Sequence, residues 1–267
     1  MKNEIEGLRV LVVGGGGEGN GRAITRELAR WGAAVAVVDI DPLRAAEAAD
    51  EIVSQGGQSV GITADVRDSG AGDQMVAETV EALGGVDVLV TVVGGSTLFV
   101  PWAPLDETTD DSWDLIFDLN LRYVFRVARA VVRQFTLQGT GGSIVSVGSI
   151  SGSVATSPMS IAYGAAKAGL VSFAKTLSVE YGRQGVRMNV VSCGIVETPA
   201  SAGTIQDSWK DLVPMGRAAT TEDVARLVAF LASPLSNYVS GQNVALDGAL
   251  TLRAQLPFPR TDSSMAG

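Results

Sequence analysis

Tyr163 and Lys167 stand four residues apart in Tyr163-Gly-Ala-Ala-Lys167, which puts a phenol and an ammonium on one face if the segment is helical. A free tyrosine ionises near pH ~10 and is a poor base at neutral pH. A lysine ammonium held beside it favours the phenolate and lowers that value. The pair can then exchange a proton with an alcohol or a carbonyl oxygen. The same pair also occurs on ordinary solvated helix faces, so the rest of the chain has to decide. With no histidine in 267 residues, neither a Ser-His-Asp hydrolase nor a His-ligated metal enzyme can be built. The lone Cys193 excludes a thiolate zinc site and a disulfide framework, and fits a reducing compartment. No metal is expected, and proton chemistry falls to Tyr, Lys, Asp or Glu.

A second constellation lies near the N-terminus, where Gly14-Gly-Gly-Gly-Glu-Gly-Asn-Gly21 follows a β-branched run and opens a helical one. Glycine lets the backbone approach a diphosphate, and a helix N-terminus offers free N–H donors. Asp39 follows Gly19 by twenty residues, where a carboxylate can accept from both adenosine ribose hydroxyls and repel a 2′-phosphate. Glu18 adds negative charge nearby, and no basic residue directly follows Asp39. These features predict NAD, with NADP the less favoured cofactor. Arg22 and Arg44 read as solvated helix charges. Asp65 reads either as a contact to the adenine amino group or as a helix N-cap.

Short β-branched runs at Leu8–Val13, Ala34–Val38, Ser59–Ala64, Val86–Val92, Ser143–Val147, Val186–Val191 and Asn243–Leu246 must position these groups. Several are apolar throughout, as expected for parallel strands covered on both faces. Helical periods fill Arg22–Trp31, Pro42–Gln55, Ala71–Leu83, Trp113–Phe135, Ala162–Tyr181 and Thr221–Ala232. The alternation predicts an α/β fold: a single-domain, Rossmann-type doubly wound sheet of seven mostly parallel strands with helices on both faces. The domain is expected to span 1–253, with a substrate loop inserted at 199–217 and a tail at 254–267. A net charge of −9 without a basic cluster argues against nucleic acid or an anionic membrane as partner. No apolar run suits a signal peptide or a transmembrane span, so the expected location is cytoplasmic.

Together these residues resemble the short-chain dehydrogenase/reductase family over nearly the whole chain, from Leu8 to Gly248. The family's cofactor turn matches Gly15, Gly19 and Gly21, its asparagine matches Asn120 in Phe117-Asp-Leu-Asn120, and its serine matches Ser149 in Val147-Gly-Ser-Ile-Ser-Gly152. Tyr163 and Lys167 fall on its catalytic pair, Val191-Ser-Cys-Gly-Ile-Val-Glu-Thr-Pro199 on the stretch after strand six, and Gly241–Gly248 on its closing strand. The resemblance implies hydride transfer between a nicotinamide cofactor and a small-molecule secondary alcohol or ketone. It assigns Tyr163 as general acid/base, Ser149 as hydrogen-bond donor to the substrate oxygen, and Lys167 as support for Tyr163 and the nicotinamide ribose. Asn120 is expected to distort its helix and position a proton-relay water. The implied cofactor contacts are Gly15, Gly19, Asn20, Gly21, Asp39, Ile40, Asp65, Val66, Gly94, Tyr163, Lys167, Gly194, Val196 and Thr198. A homo-oligomer, tetramer or dimer, is expected through the helices at Trp113–Phe135 and Ala162–Tyr181, whose apolar faces could equally belong to the core. The tail Leu256-Pro-Phe-Pro259 is read as either a contact to a neighbouring subunit or a frayed end.

Three positions depart from the family pattern. Gly14 replaces a threonine, Thr91-Val-Val-Gly94 replaces Asn-Asn-Ala-Gly, and Cys193 replaces a proline. The first two alter a tie between the glycine turn and strand four; the third is expected to loosen the loop over the nicotinamide. Ser151 is the alternative to Ser149, Ser143 and Ser146 read as strand positions without chemistry, and Phe99, Trp102 and Met159 as core or interface residues. The segments Gly95–Pro104 and Ala200–Met215 should border a neutral, moderately apolar substrate, with Asp207 and Lys210 as surface charges. The rivals are an NADPH-dependent 3-oxoacyl reductase on the same fold and a catalytically silent dinucleotide-binding regulator.

Overall fold

The computed structural model describes residues 5–156, 159–201 and 211–252. Their strands form one seven-stranded sheet of order β3-β2-β1-β4-β5-β6-β7. These are β1 (Arg9–Val13), β2 (Ala34–Asp39), β3 (Ser59–Thr63), β4 (Val88–Thr91), β5 (Gly142–Ser149), β6 (Val186–Cys193) and β7 (Asn243–Leu246). Every pairing between them is parallel. The strand order reverses between β1 and β4, which opens a crevice at the carboxyl ends of the strands.

Alternation along β1 explains why both faces are covered. Leu11 and Val13 join a core with Leu89, Ile144, Phe135 and Leu170, whereas Val10 and Val12 join a core with Ile24, Leu28, Ile52 and Val228. The first core rests under α3 (Ala71–Leu83), α5 (Tyr123–Gln138) and α6 (Ile161–Tyr181). The second is closed by α1 (Asn20–Arg30), α2 (Pro42–Ser54) and α7 (Thr221–Ala232). Burial of each large side chain stabilises by about 1.5–3 kcal/mol, which fixes the strand ends where the chemistry must sit.

Local signals set the helix starts. Asp41 caps α2 by accepting from Leu43 N at 2.9 Å, with Pro42 opening the helix. Thr220 and Asp223 cap α7 reciprocally. The segment expected as one helix at Trp113–Phe135 is instead α4 (Asp110–Phe117), a π-turn at Asp118–Arg122 and then α5. β5 runs two residues beyond its expected end, so Ser149 is its last residue. No helix among the described residues is long and apolar enough to cross a membrane. The tail expected at 254–267, with Leu256–Pro259, lies outside the described residues, as do Asp207, Lys210 and the rest of 202–210 in the expected substrate loop.

Candidate active site

Tyr163 and Lys167 lie one turn apart on α6. The Lys167 ammonium lies over the Tyr163 ring, with Nζ 5.5 Å from its centroid. Nζ donates to the Val147 carbonyl at 3.2 Å, which ties α6 to β5. Only 4% of Lys167 is exposed, and burial brings its ammonium down to about 8. It therefore still carries its charge at neutral pH. Burial also pushes the Tyr163 phenol up, although a hydrogen bond with Ser149 favours the phenolate. The lowering of Tyr163 expected from Lys167 is not found: burial, the largest influence on the phenol, disfavours its charged form.

Ser149 reaches Tyr163 from the end of β5. Its Oγ donates to Ser151 Oγ at 3.0 Å and accepts from Ser151 N at 3.2 Å. Ser149 and Ser151 are therefore linked members of one network. Cys193 ends β6 in register with both Ser149 and Leu246. Gly194 N then donates to Leu246 O at 3.0 Å. The chain is anchored where Cys193 was expected to loosen it, and burial keeps the thiol neutral by pushing it up to about 12.

Asn120 sits at the π-turn and is wholly buried. Its Oδ1 accepts from Gly95 N at 3.0 Å, and its Nδ2 donates to Gly95 O and Ile116 O, both at 2.9 Å. The expected distortion of the helix is present, and it has a local cause: the side chain takes the Ile116 carbonyl that a regular helix would use. All of the amide's hydrogen-bonding groups serve backbone partners. A side-chain carbon on Gly94 would begin 2.5 Å from Asn120 Oδ1 and 3.1 Å from Lys167 Nζ. Gly94, Asn120 and Lys167 therefore converge on one point.

Gly94 also closes one end of a cleft of about 610 Å³ running along the strand ends. Gly19, Asn20, Gly21, Asp39, Ile40, Asp65, Val66 and Thr198 line it as expected. Gly15 lies beneath it, packing α1 onto the sheet, and Gly15, Tyr163, Lys167, Gly194 and Val196 are not among its lining residues. The glycine turn works by close approach. A Cβ at Gly21 would overlap the Gly14 carbonyl oxygen, and Gly14 itself has φ 88°. A Cβ at Gly14 would lie 2.8 Å from Val93 Cγ2 and 3.0 Å from Val93 N. The departures at Gly14 and Val93 are therefore complementary, the loss of one side chain making room for backbone contact with the other. Thr91 turns away and donates to Ser146 at 2.8 Å, a structural bond in the sheet.

No side chain caps α1, which leaves N–H groups of its first turn facing the cleft. Asn20 Oδ1 is buried there and has no hydrogen-bond partner among the described residues. Close backbone approach, free helix donors, an orphaned acceptor and the Asp39 carboxylate together fit a dinucleotide.

The charges at the other end differ from expectation. Arg44 is not a solvated helix charge: it lines the cleft and pairs with Asp39 at 2.8 Å. Arg22 is buried, with Nη1 donating to Gly16 O at 3.2 Å and Nε 3.1 Å from Glu51. Asp65 caps no helix, because Gly70 precedes α3; it pairs with Arg67, a second arginine in the cleft, at 2.6 Å. Phe99 and Leu98 also line the cleft, while Phe99, Trp102 and Met159 are all exposed and none belongs to the core. Ser143 donates to Leu231 O, a purely structural bond. No cluster able to hold a metal occurs among the described residues.

A family model described as enoyl-(acyl carrier protein) reductase matches residues 16–251. The short-chain dehydrogenase/reductase eriH of Hericium erinaceus is 35% identical over 247 residues, covering 90% of this chain and 96% of its own. The L-rhamnose 1-dehydrogenase (NAD(P)(+)) of Azotobacter vinelandii is 33% identical, over 92% of this chain and 98% of its own. The solved structure of a short-chain dehydrogenase/reductase from Serratia marcescens, 30% identical, superposes with a TM-score of 0.85 over 93% of this chain and 99% of that one.

Proposed function

The chain belongs to the short-chain dehydrogenase/reductase family and is an oxidoreductase acting on hydroxyl groups; on that premise we propose that it transfers a hydride between NAD and a secondary alcohol or its ketone. The observation that carries this reading is the grouping of Ser149 and Lys167 about Tyr163, with Lys167 against Gly94, which lines the cleft that the glycine turn opens. When bound, the nicotinamide supplies or accepts the hydride. Tyr163 takes the alcohol proton in oxidation and returns it in reduction. Ser149 hydrogen-bonds the substrate oxygen where alkoxide-like charge develops. Lys167 offsets charge on the phenolate and would hold the nicotinamide ribose. Asn120 is a positioning residue that clamps Gly95 beside the reacting groups.

Gly19, Asn20 and Gly21 would hold the diphosphate, Asp39 and Ile40 the adenosine ribose, and Asp65 and Val66 the adenine. Gly94, Gly194, Val196 and Thr198 would surround the nicotinamide. Asp39 supports NAD, since its carboxylate faces the cleft at the end of β2. Arg44 and Arg67 favour a second reading, an NADPH-dependent 3-oxoacyl reductase, because either could turn to a 2′-phosphate. Leu98, Phe99, Leu115 and Leu119 give the cleft an apolar wall that suits a neutral alcohol. Self-association is proposed on the α5–α6 face, where Phe125, Leu137 and Val179 are exposed while Val127, Val131, Leu170 and Leu177 serve the core.

Titration of protein fluorescence with NADH and NADPH, alongside Asp39→Ala and Arg44→Ala, tests the cofactor reading. Tighter NADH binding, lost in Asp39→Ala, is expected. Tighter NADPH binding, lost in Arg44→Ala, would make the reductase reading the better one.

A further inference from the structure

Four carbonyl oxygens of the glycine turn are taken up by α1. Gly15 O accepts from Thr25 Oγ1 and Gly16 O from Arg22 Nη1, both at 3.2 Å. Gly17 O accepts from Arg22 N at 3.2 Å and Gly19 O from Ala23 N at 3.1 Å. The last two bonds belong to the helix backbone and would form with any side chains. The first two depend on Thr25, which is wholly buried, and on Arg22, which is 7% exposed. The N–H groups of Gly16, Gly17, Glu18 and Gly19 donate to no backbone or side-chain group among the described residues.

Arg22 is costly where it stands. A guanidinium in the first turn of a helix meets the positive end of the dipole, and burial strips it of water. Its partners come from three elements: Nη1 reaches Arg44 O at 3.4 Å as well as Gly16 O, and Nε lies 3.1 Å from Glu51. Glu51 is held in turn by Arg26, whose Nε and Nη2 donate to it at 2.6 and 3.0 Å. A Cβ on Gly16 would lie 2.8 Å from the Arg44 carbonyl, so the turn touches α2 where the guanidinium joins them. A trans peptide points its N–H opposite to its C=O. Drawing the Gly15 and Gly16 carbonyls onto α1 therefore turns the N–H groups of Gly16 and Gly17 away from it. Glycine peptides rotate freely, and a diphosphate is bound by N–H donors and repelled by carbonyl oxygens.

We propose that Arg22 and Thr25 are positioning residues for the cofactor: without touching it, their side chains hold the Gly16 and Gly15 carbonyls against α1, so that the turn offers N–H groups to the diphosphate. The inference rests on the cleft being the dinucleotide site of the proposed function. Arg22 has the larger part, because its bond to Gly16 is charge-assisted and it also fixes the backbone of Arg44, whose side chain pairs with Asp39. Thr25 has the smaller part and carries no charge, so its effect on the cofactor has no long-range electrostatic component.

The test is calorimetric titration of the full chain with NADH, comparing the parent with Arg22→Met, Thr25→Val, Thr25→Ser and Arg30→Ala. A chain that is merely destabilised loses binding sites, and those that remain keep their affinity. A turn whose carbonyls are released keeps its sites and loses affinity. Arg22→Met should weaken NADH about tenfold and Thr25→Val about threefold, each with the parental number of sites. Thr25→Ser, which keeps the hydroxyl, should restore the affinity. Arg30→Ala, an exposed arginine of the same helix paired with Glu27, should bind as the parent does. If Arg22→Met does not fold, the contrast between Thr25→Val and Thr25→Ser decides alone. Parental affinity in Thr25→Val, equal weakening in Thr25→Val and Thr25→Ser, or equal weakening in Arg22→Met and Arg30→Ala would overturn the inference and leave the proposed function standing. If the parent binds neither NADH nor NADPH, the dinucleotide reading of the cleft falls, and the inference with it.

Discussion

The glycine turn lines the cleft, the catalytic helix stands behind Gly94 at its edge, and the two reach their geometry by opposite means. The turn depends on side chains that are absent: Gly21 leaves room for the Gly14 carbonyl, and Gly14 for Val93. The catalytic end depends on polar side chains that are present, buried and bonded: Lys167 to Val147, Asn120 to Gly95 and Ile116, Ser149 to Ser151. The first arrangement fails by collision, abruptly. The second fails by degrees, as each lost partner leaves a buried group unsatisfied. Function and stability accordingly coincide at the turn and oppose each other around Lys167, a buried cation that the fold would be more stable without.

The sharpest break of that comparison is Gly21→Ala, for which we expect roughly 100-fold weaker NADH binding, equivalent to ~3 kcal/mol. Calorimetric NADH titration reads it, and near-parental affinity would show that the turn relaxes. Lys167→Met should separate function from stability. The folded Lys167 releases its proton near pH 8, while an unfolded lysine holds it to about 10.5, so the folded chain binds fewer protons between these values. Stability from this group therefore rises with pH through that window, and the burden below pH 8 is roughly 3 kcal/mol. The variant should melt higher than the parent at pH 7, lose that advantage toward pH 10, and lose turnover at both; thermal melts across pH check the first two.

Asn120→Ala leaves Gly95 N–H, Gly95 C=O and Ile116 C=O without their partner. We expect about 2 kcal/mol of lost stability, seen as a lower urea midpoint, together with a fall in kcat. Asp39→Ala should change the NADH-to-NADPH affinity ratio about tenfold, near the ~1.4 kcal/mol of one charge-assisted hydrogen bond. The smallest effect lies far from the cleft. Asp223, brought down to about 2 chiefly by Arg217, caps α7. Asp223→Ala should cost about 1 kcal/mol at pH 7. The parent should lose the same increment as pH falls from 3.8 toward 2, because the folded carboxylate resists protonation that the unfolded one accepts; acid-titrated melts would show the two chains converging.

What could be read in the sequence followed from rules local to one element. Apolar runs and helical periods located the strands, and the sheet order matches the doubly wound expectation. The spacing of Tyr163 and Lys167 on α6 and the placing of Asp39 at the end of β2 were legible for the same reason. Arg44 and Arg22 were misread because their surroundings come from the meeting of α1, α2 and the glycine turn, which no single segment encodes. The resemblance implied a distortion at Asn120 but not its form, a π-turn, because Asn120 takes a helix carbonyl only when Gly95 arrives from β4 to hold the other edge of its amide. The raised Tyr163 reflects the same limit: spacing reveals the ammonium, whereas burial, the larger influence, is a property of the assembled fold.

The most direct test of the central claim is steady-state alcohol oxidation by Tyr163→Phe with NAD, with NADH affinity measured on the same preparation. The variant should bind NADH as the parent does while turnover falls by ~100-fold or more. Unchanged turnover with unchanged NADH binding would contradict the assignment of Tyr163 as the group that moves the proton.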